Sequence, residues 1–164
     1  MASGIEHEYS VKTVWTGNKG EGTSDYRAYN RNYELQVDGK VVISGSAHPA
    51  FLGDPTLHNA EDMFVGALST CHMLWYLHLC ADAGVVVTDY VDQAVGMMAI
   101  ERKGSGYFSE VTLHPRISIT AESDRDKALA LHEDAHRFCF VANSVNFPVR
   151  CEPEIISMPT SHHP

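Results

Sequence analysis

The run from Met63 to Ala81 constrains this chain more than any other stretch. Its apolar residues, among them Phe64, Val65, Leu68, Met73, Leu74, Trp75 and Leu79, follow no single stripe and cover every face of a helix. A helix that is apolar all round must be enclosed by other structure, so the pattern predicts a central buried spine. Asn59 can cap its start, Glu61 and Asp62 set negative charge against the positive end of the dipole, and Gly84 suits a left-handed stop after Ala83. The run is long enough to span a bilayer, but it carries Ser69, Thr70, His72 and His78 and has no basic flank. A core helix is expected here, and no membrane partner.

Around the spine the pattern changes to short strands. Residues 8–16, "EYSVKTVWT", alternate as a strand does, and "YELQV" and "KVVIS" flank Asp38-Gly39, the signal of a two-residue hairpin. After the spine, "VVVTDYV", the segment through "MMAIER" and "YFSEVTLHPRISIT" read as strands, with Pro115 marking an edge or a bulge. Ser123 opens a second helix whose apolar side holds Ala128, Leu129, Leu131, Ala135 and Phe138, and "FPVRCEPEII" closes the chain as a last short strand. This order is mixed rather than alternating, so the fold class is α+β. The 164 residues suffice for a single domain: N-terminal strands and loop over 1–55, the central helix over 56–84, and a second sheet and helix over 85–160.

Charge and cysteine usage narrow the function. With 21 acidic against 12 basic residues the net charge is −9, and no Lys/Arg cluster is present, so no nucleic-acid partner is expected. The opening "MASGIEHEYS" lacks a basic stretch leading into an apolar run, which predicts a cytoplasmic protein without a secretory leader. In that reducing compartment the four cysteines, Cys71, Cys80, Cys139 and Cys151, are either buried filler or reactive thiols. Cys71 and Cys80 fall on opposite faces of the spine about 13 Å apart and cannot bridge. Cys80 reads as filler, Cys151 has no local partner, and Cys71 and Cys139 remain free to meet in space. A rival pattern is His132, His136 and Cys139, which share one helix face at four- and three-residue spacing and could ligate zinc, with Cys71 as a fourth ligand.

The run "HNAEDMFVGALSTCHMLWYL" resembles the central-helix motif of the OsmC/Ohr family, the osmotically induced and organic-hydroperoxide-resistance proteins. "LHEDAHRFCFVANSV" is similar to the family's second signature, a helix ending in its second cysteine, and the likeness extends over roughly residues 55–150. One departure is Ala60, where the family usually has proline at the first helical position. The resemblance implies antiparallel sheets around a long buried helix in an intertwined homodimer, and a thiol-dependent peroxidase that reduces organic hydroperoxides. Cys71 then matches the peroxidatic cysteine, Cys139 the resolving one and Glu61 the motif's glutamate. The active-site arginine is Arg27 or Arg31, with the aromatic-x-Arg-x-x-Glu setting of "YNRNYE" favouring Arg31. No bound cofactor is implied; an external dithiol such as dihydrolipoamide or a lipoylated protein regenerates the enzyme. Glu61 and Cys71 are about 15 Å apart along one helix, so a two-fold dimer with antiparallel spines would bring Glu61 of one subunit toward Cys71 of the other. The alternatives are a metal-binding or structural domain, and a redox sensor or hydrophobic-ligand binder without efficient turnover.

Overall fold

Asn59 and Gly84 set the ends of the spine. The computed structural model, which describes residues 4–102 and 104–158, places helix α1 at Ala60–Ala83. Asn59 Oδ1 accepts the Asp62 N–H at 2.8 Å while Asp62 Oδ2 accepts the Asn59 N–H at 3.2 Å. This reciprocal box satisfies backbone donors that the helix itself cannot. At the other end Gly84 takes φ +74°. Its N–H donates to Ala81 O at 3.3 Å and the Val85 N–H to Cys80 O at 2.9 Å, the paired closure that a left-handed glycine permits.

The chain divides into two compact units, one ending at Met63 and one beginning at Phe64. In the first, β1 (Lys12–Trp15), β2 (Tyr33–Gln36) and β3 (Ile43–Gly45) form an antiparallel sheet in chain order. Pairing of Leu35 with Ile43 leaves residues 37–42 as the connection, longer than the two-residue hairpin that Asp38-Gly39 predicts. Among those residues only Gly39 takes a positive φ, whereas the tight hairpin turn signalled by Asp-Gly needs it at both central positions. The β1–β2 excursion is held by Trp15, whose Nε1 donates to Asn30 O at 2.8 Å.

The second unit holds two mixed sheets. β4 (Val87–Asp92), β7 (Pro115–Ile119) and β9 (Glu154–Ser157) form one in the order β4-β7-β9, and β5 (Val95–Ile100), β6 (Gly106–Leu113) and β8 (Val149–Cys151) form the other in the order β5-β6-β8. Pro115 marks neither an edge nor a bulge. The expected single strand breaks at His114, and the chain steps from β6 in one sheet to β7 in the centre of the other. As the first residue of β7, Pro115 occupies a strand position that tolerates a missing donor. Asp92 secures this corner: its Oδ1 accepts the His114 N–H at 2.7 Å and its Oδ2 the Ser69 hydroxyl at 2.5 Å. The expected last strand likewise divides, β8 running parallel to β6 and β9 parallel to β7.

Helix α2 (Arg125–Phe138) is capped by Asp124, whose Oδ1 accepts the Lys127 N–H at 3.0 Å. It starts one residue later than expected, because the Ser123 hydroxyl is taken by the Val86 N–H at 2.9 Å. Its buried residues are Ala128, His132 and Ala135, while Leu129 and Phe138, expected inside, are 43% and 39% exposed. On α1 only Leu68, His72, Tyr76 and Cys80 are buried, a single stripe at four-residue spacing. Leu74 is 62% exposed, so one copy of the chain does not supply the all-round enclosure that the composition of α1 predicts. The stripe is core nonetheless: Tyr76 and Cys80 pack with Ile117, Ile119, Ala128 and Ala135, and the Tyr76 hydroxyl donates to Ala128 O at 2.9 Å. Helix α1 has the length and hydropathy of a membrane span, but its buried stripe packs within the fold, Tyr76 and Cys80 against α2 and the β4-β7-β9 sheet and Leu68 against Val111 and Leu113 of β6.

Asn59→Ala removes the cap acceptor and is expected to lower stability by about 1 kcal/mol. A urea denaturation midpoint that does not move would contradict the capping role.

Candidate active site

Cys71 and Cys139, which sequence separates by most of the second unit, come together. Cys71 projects from α1 and is half-buried; Cys139 is buried as the C-terminal cap of α2. Both are free thiols. The Cys139 thiol is pushed up to about 11, first by burial and then by its hydrogen bond with Cys71 and the charge Cys71 would carry. Burial thus disfavours a thiolate at Cys139 with Cys71 beside it, while the Ala142 N–H approaches the Cys139 sulfur at 3.5 Å. One turn beyond Cys71, Trp75 lies against Phe138, ring centroids 5.2 Å apart, and meets Phe140 edge-on at 5.6 Å. These aromatics flank Cys139 in sequence, and Phe140 is 67% exposed.

Arg31 and Glu61 both belong to the N-terminal unit. The Arg31 guanidinium lies between two tyrosine rings, 4.3 Å from the centroid of Tyr26 and 4.2 Å from that of Tyr29. It donates through Nη1 to Tyr29 O at 2.7 Å and through Nη2 to Tyr26 O at 2.5 Å. A guanidinium has five N–H donors in a rigid fork, so two carbonyls orient it without exhausting it. Among the described residues it pairs with no carboxylate. Arg27 uses its backbone N–H to bond Asp25 at 2.8 Å. Glu61, in the first turn of α1, together with Asp62 helps to raise the Tyr33 phenol, after burial as the main cause.

A second cluster was not legible in the sequence. His72 Nε2 and His132 Nδ1 are 3.0 Å apart, and Cys151 Sγ lies 3.6 Å from the first and 3.8 Å from the second. The metal set suggested by spacing, His132, His136 and Cys139 with Cys71, does not assemble. His132 turns inward to His72 and Cys151, His136 is exposed on α2, and Cys139 faces Cys71. Within this region His72, His132 and Cys151 are the side chains whose donor atoms could converge on a metal ion. His132 stacks on Tyr76 with ring centroids 3.9 Å apart, and its Nε2 is buried without a partner. Burial pushes His72 down to about 4, helped by the charge of His136 and opposed by Asp92. Burial, with His72 beside it, pushes His132 down to about 3. The Cys151 thiol is pushed up to about 12 by burial, then by Asp92 and Glu152. All three are neutral at pH 7.

Both histidines titrate lower in the folded chain than the ordinary 6.5, so the unfolded chain binds more protons below that pH. Their contribution to stability is complete above about pH 6.5 and is lost as pH falls toward about 4 for His72 and about 3 for His132. In buffer containing EDTA, the melting temperature of the wild type is expected to drop through this window more steeply than that of a His72→Gln/His132→Gln variant. Equal slopes would contradict the buried neutral pair.

Comparison with known proteins places this geometry. A family model described as OsmC-like protein matches residues 53–154. No curated protein matches the chain. Among solved structures, an OsmC-like protein of unknown function from Vibrio cholerae is 32% identical, with a TM-score of 0.81 over 92% of this chain and 100% of that one. An organic hydroperoxide resistance protein from Elizabethkingia anophelis, 18% identical, has a TM-score of 0.64 over 94% of this chain and 100% of the other. An organic hydroperoxide resistance protein from Legionella pneumophila, 16% identical, has a TM-score of 0.63 over 92% and 98%. These last two share the fold. The paired thiols on α1 and α2, the mixed sheets and the matching family model lead to one assignment: the chain belongs to the OsmC-like protein family.

Proposed function

We propose that this protein is a two-cysteine thiol peroxidase that reduces organic hydroperoxides. The observation that carries the reading is the approach of Cys139, at the C-terminal end of α2, to Cys71 on α1. The Cys71 thiolate attacks the terminal oxygen of the hydroperoxide, the O–O bond breaks, and the alkoxide leaves as an alcohol after taking up a proton. Sulfur is oxidised to a sulfenic acid and the peroxide is reduced. Cys139 sulfur then attacks Cys71 sulfur; its proton and the departing hydroxyl leave as water, and a disulfide closes. An external dithiol, dihydrolipoamide or a lipoylated protein, reopens it by exchange and leaves oxidised. The aromatic wall of Trp75, Phe138 and Phe140 beside the thiols favours an alkyl or aryl peroxide over hydrogen peroxide.

In this reading Arg31 supplies the cation that steadies the Cys71 anion and the peroxide oxygens, and Glu61, which does not pair with Arg31 within one copy, acts on it across the dimer. The tyrosine sandwich supports Arg31 over Arg27, because it holds the guanidinium ready with donors to spare. The working form is a homodimer with its sites at the subunit interface and its place in a reducing, cytoplasmic compartment. Exposed Leu74 on the spine, and the exposed apolar residues Met97, Ile100 and Tyr107 on β5 and β6, support the need for a partner copy.

The test is consumption of cumene hydroperoxide with dihydrolipoamide as reductant. Cys71→Ser is expected to lose activity by at least about a thousandfold, on the scale of removing a nucleophile. Cys139→Ser is expected to turn over once and then stall. Arg31→Lys is expected to lower kcat/KM by roughly ten- to a hundredfold, since an ammonium lacks the planar fork. Full activity in Cys71→Ser would overturn the reading.

A further inference from the structure

The peroxidase reading uses Cys71 and Cys139 and leaves the most enclosed polar group of the second unit without a task. His72 comes from α1, His132 from α2 and Cys151 from the end of β8, three elements far apart in sequence. Buried imidazoles and thiols are costly to collect unless each finds a partner. Here the one close contact is between the two imidazoles. Their rings lie within 6° of parallel with centroids 5.3 Å apart. Given a nitrogen separation of 3.0 Å, the rings meet edge to edge rather than face to face. One ring nitrogen must carry a proton to the other, and His132 Nε2 stays unpaired whichever one donates.

We propose that His72 Nε2, His132 Nδ1 and Cys151 Sγ form a binding site for one zinc ion. A tetrahedral zinc with Zn–N of about 2.0–2.1 Å and Zn–S of about 2.3 Å sets its nitrogen ligands about 3.3 Å apart and each nitrogen about 3.6 Å from the sulfur. The triangle in this fold has sides of 3.0, 3.6 and 3.8 Å, so three corners of the tetrahedron are in place to within a few tenths of an ångström. The ion enters on the Cys151 side of the line between the nitrogens, and each ring tips toward it.

Donor chemistry favours the same ion. Two imidazoles and a thiolate are the borderline set that selects zinc over magnesium or calcium, which want oxygen. The histidines need lose no net proton, since both are neutral and only the one that donates to the other shifts its N–H to the nitrogen facing away. The thiol must give up its proton to solvent on binding, a step the divalent charge drives. Asp92 and Glu152, which act against a bare thiolate at Cys151, become favourable neighbours once a cation is present. The fourth position is not filled by these three residues. Beside His132 and Cys151 lies an open cavity of about 390 Å³ that Leu129, Glu133 and His136 also line. Water completes the tetrahedron from that side.

The site would tie α1, α2 and β8 together, and it is separate in its residues from the Cys71–Cys139 pair. Its test uses the full chain, stripped with chelator and then titrated with cobalt(II) as a coloured stand-in for zinc. One cobalt per chain is expected, with intense visible bands of a tetrahedral ion and a near-ultraviolet thiolate-to-cobalt band. Cys151→Ser is expected to remove the thiolate band and His132→Gln to weaken binding by at least tenfold. Cys71→Ser and Cys139→Ser are expected to leave the spectrum unchanged, whether or not they turn over peroxide. X-ray absorption of the zinc-loaded wild type, which needs no variant to fold, is expected to show two nitrogen ligands and one sulfur. Absence of stoichiometric binding, a thiolate band that survives Cys151→Ser, or a sulfur-free zinc shell would overturn the proposal.

Discussion

The seam between α1 and α2 is the interaction on which the rest of this structure depends. Tyr76 bonds Ala128 through its hydroxyl and stacks on His132, and His72 meets His132 edge to edge. Farther along the same seam Trp75 of α1 lies against Phe138, the last residue of α2, which holds the C-terminal end of α2 against the middle of α1. Cys139, as the cap of α2, therefore arrives beside Cys71. A purely apolar seam could slide by a turn at modest cost; a hydroxyl and two buried imidazoles with defined partners cannot.

The seam also separates the two sulfur environments. At Cys139 the neighbour is another thiol, and burial disfavours its thiolate. At Cys151 the neighbours are two imidazole nitrogens with carboxylates beyond, and burial there forbids an uncompensated anion. One arrangement suits transfer of oxidation from sulfur to sulfur, the other suits a cation. Both follow from one turn of α1, since Cys71 and His72 are adjacent and point in directions one step apart around the helix. Asp92 belongs to this organisation too, tying the spine through Ser69 to the corner where β6 gives way to β7.

Sequence made the ends of α1 readable because caps are local chemistry: Asn59 with Asp62, and Gly84 with its left-handed φ, act through neighbours within a turn. The pairing of Cys71 with Cys139 was readable only through the family resemblance, as helical spacing alone left those thiols free. Burial on α1 was misread because apolar composition reports what a helix needs covered, not what one chain covers; Leu74 stays exposed. Pro115 was misread because a strand that changes sheets has the same residue pattern as one strand with a flaw. The cluster of His72, His132 and Cys151 was invisible for a stricter reason. Its members stand 60 and 19 positions apart, and no periodicity within one element links them. The spacing of His132, His136 and Cys139 on one helix was the louder signal, yet the fold turns those residues to different surroundings.

The central claim is that a sulfur-to-sulfur path runs from Cys71 to Cys139. It is tested most directly by treating the reduced protein with one equivalent of cumene hydroperoxide and measuring its intact mass, followed by peptide mapping. The account predicts the loss of two hydrogen atoms, carried by a peptide in which Cys71 is joined to Cys139. Oxygen retained on Cys71 with Cys139 still a free thiol, or a disulfide that includes Cys151, would contradict it.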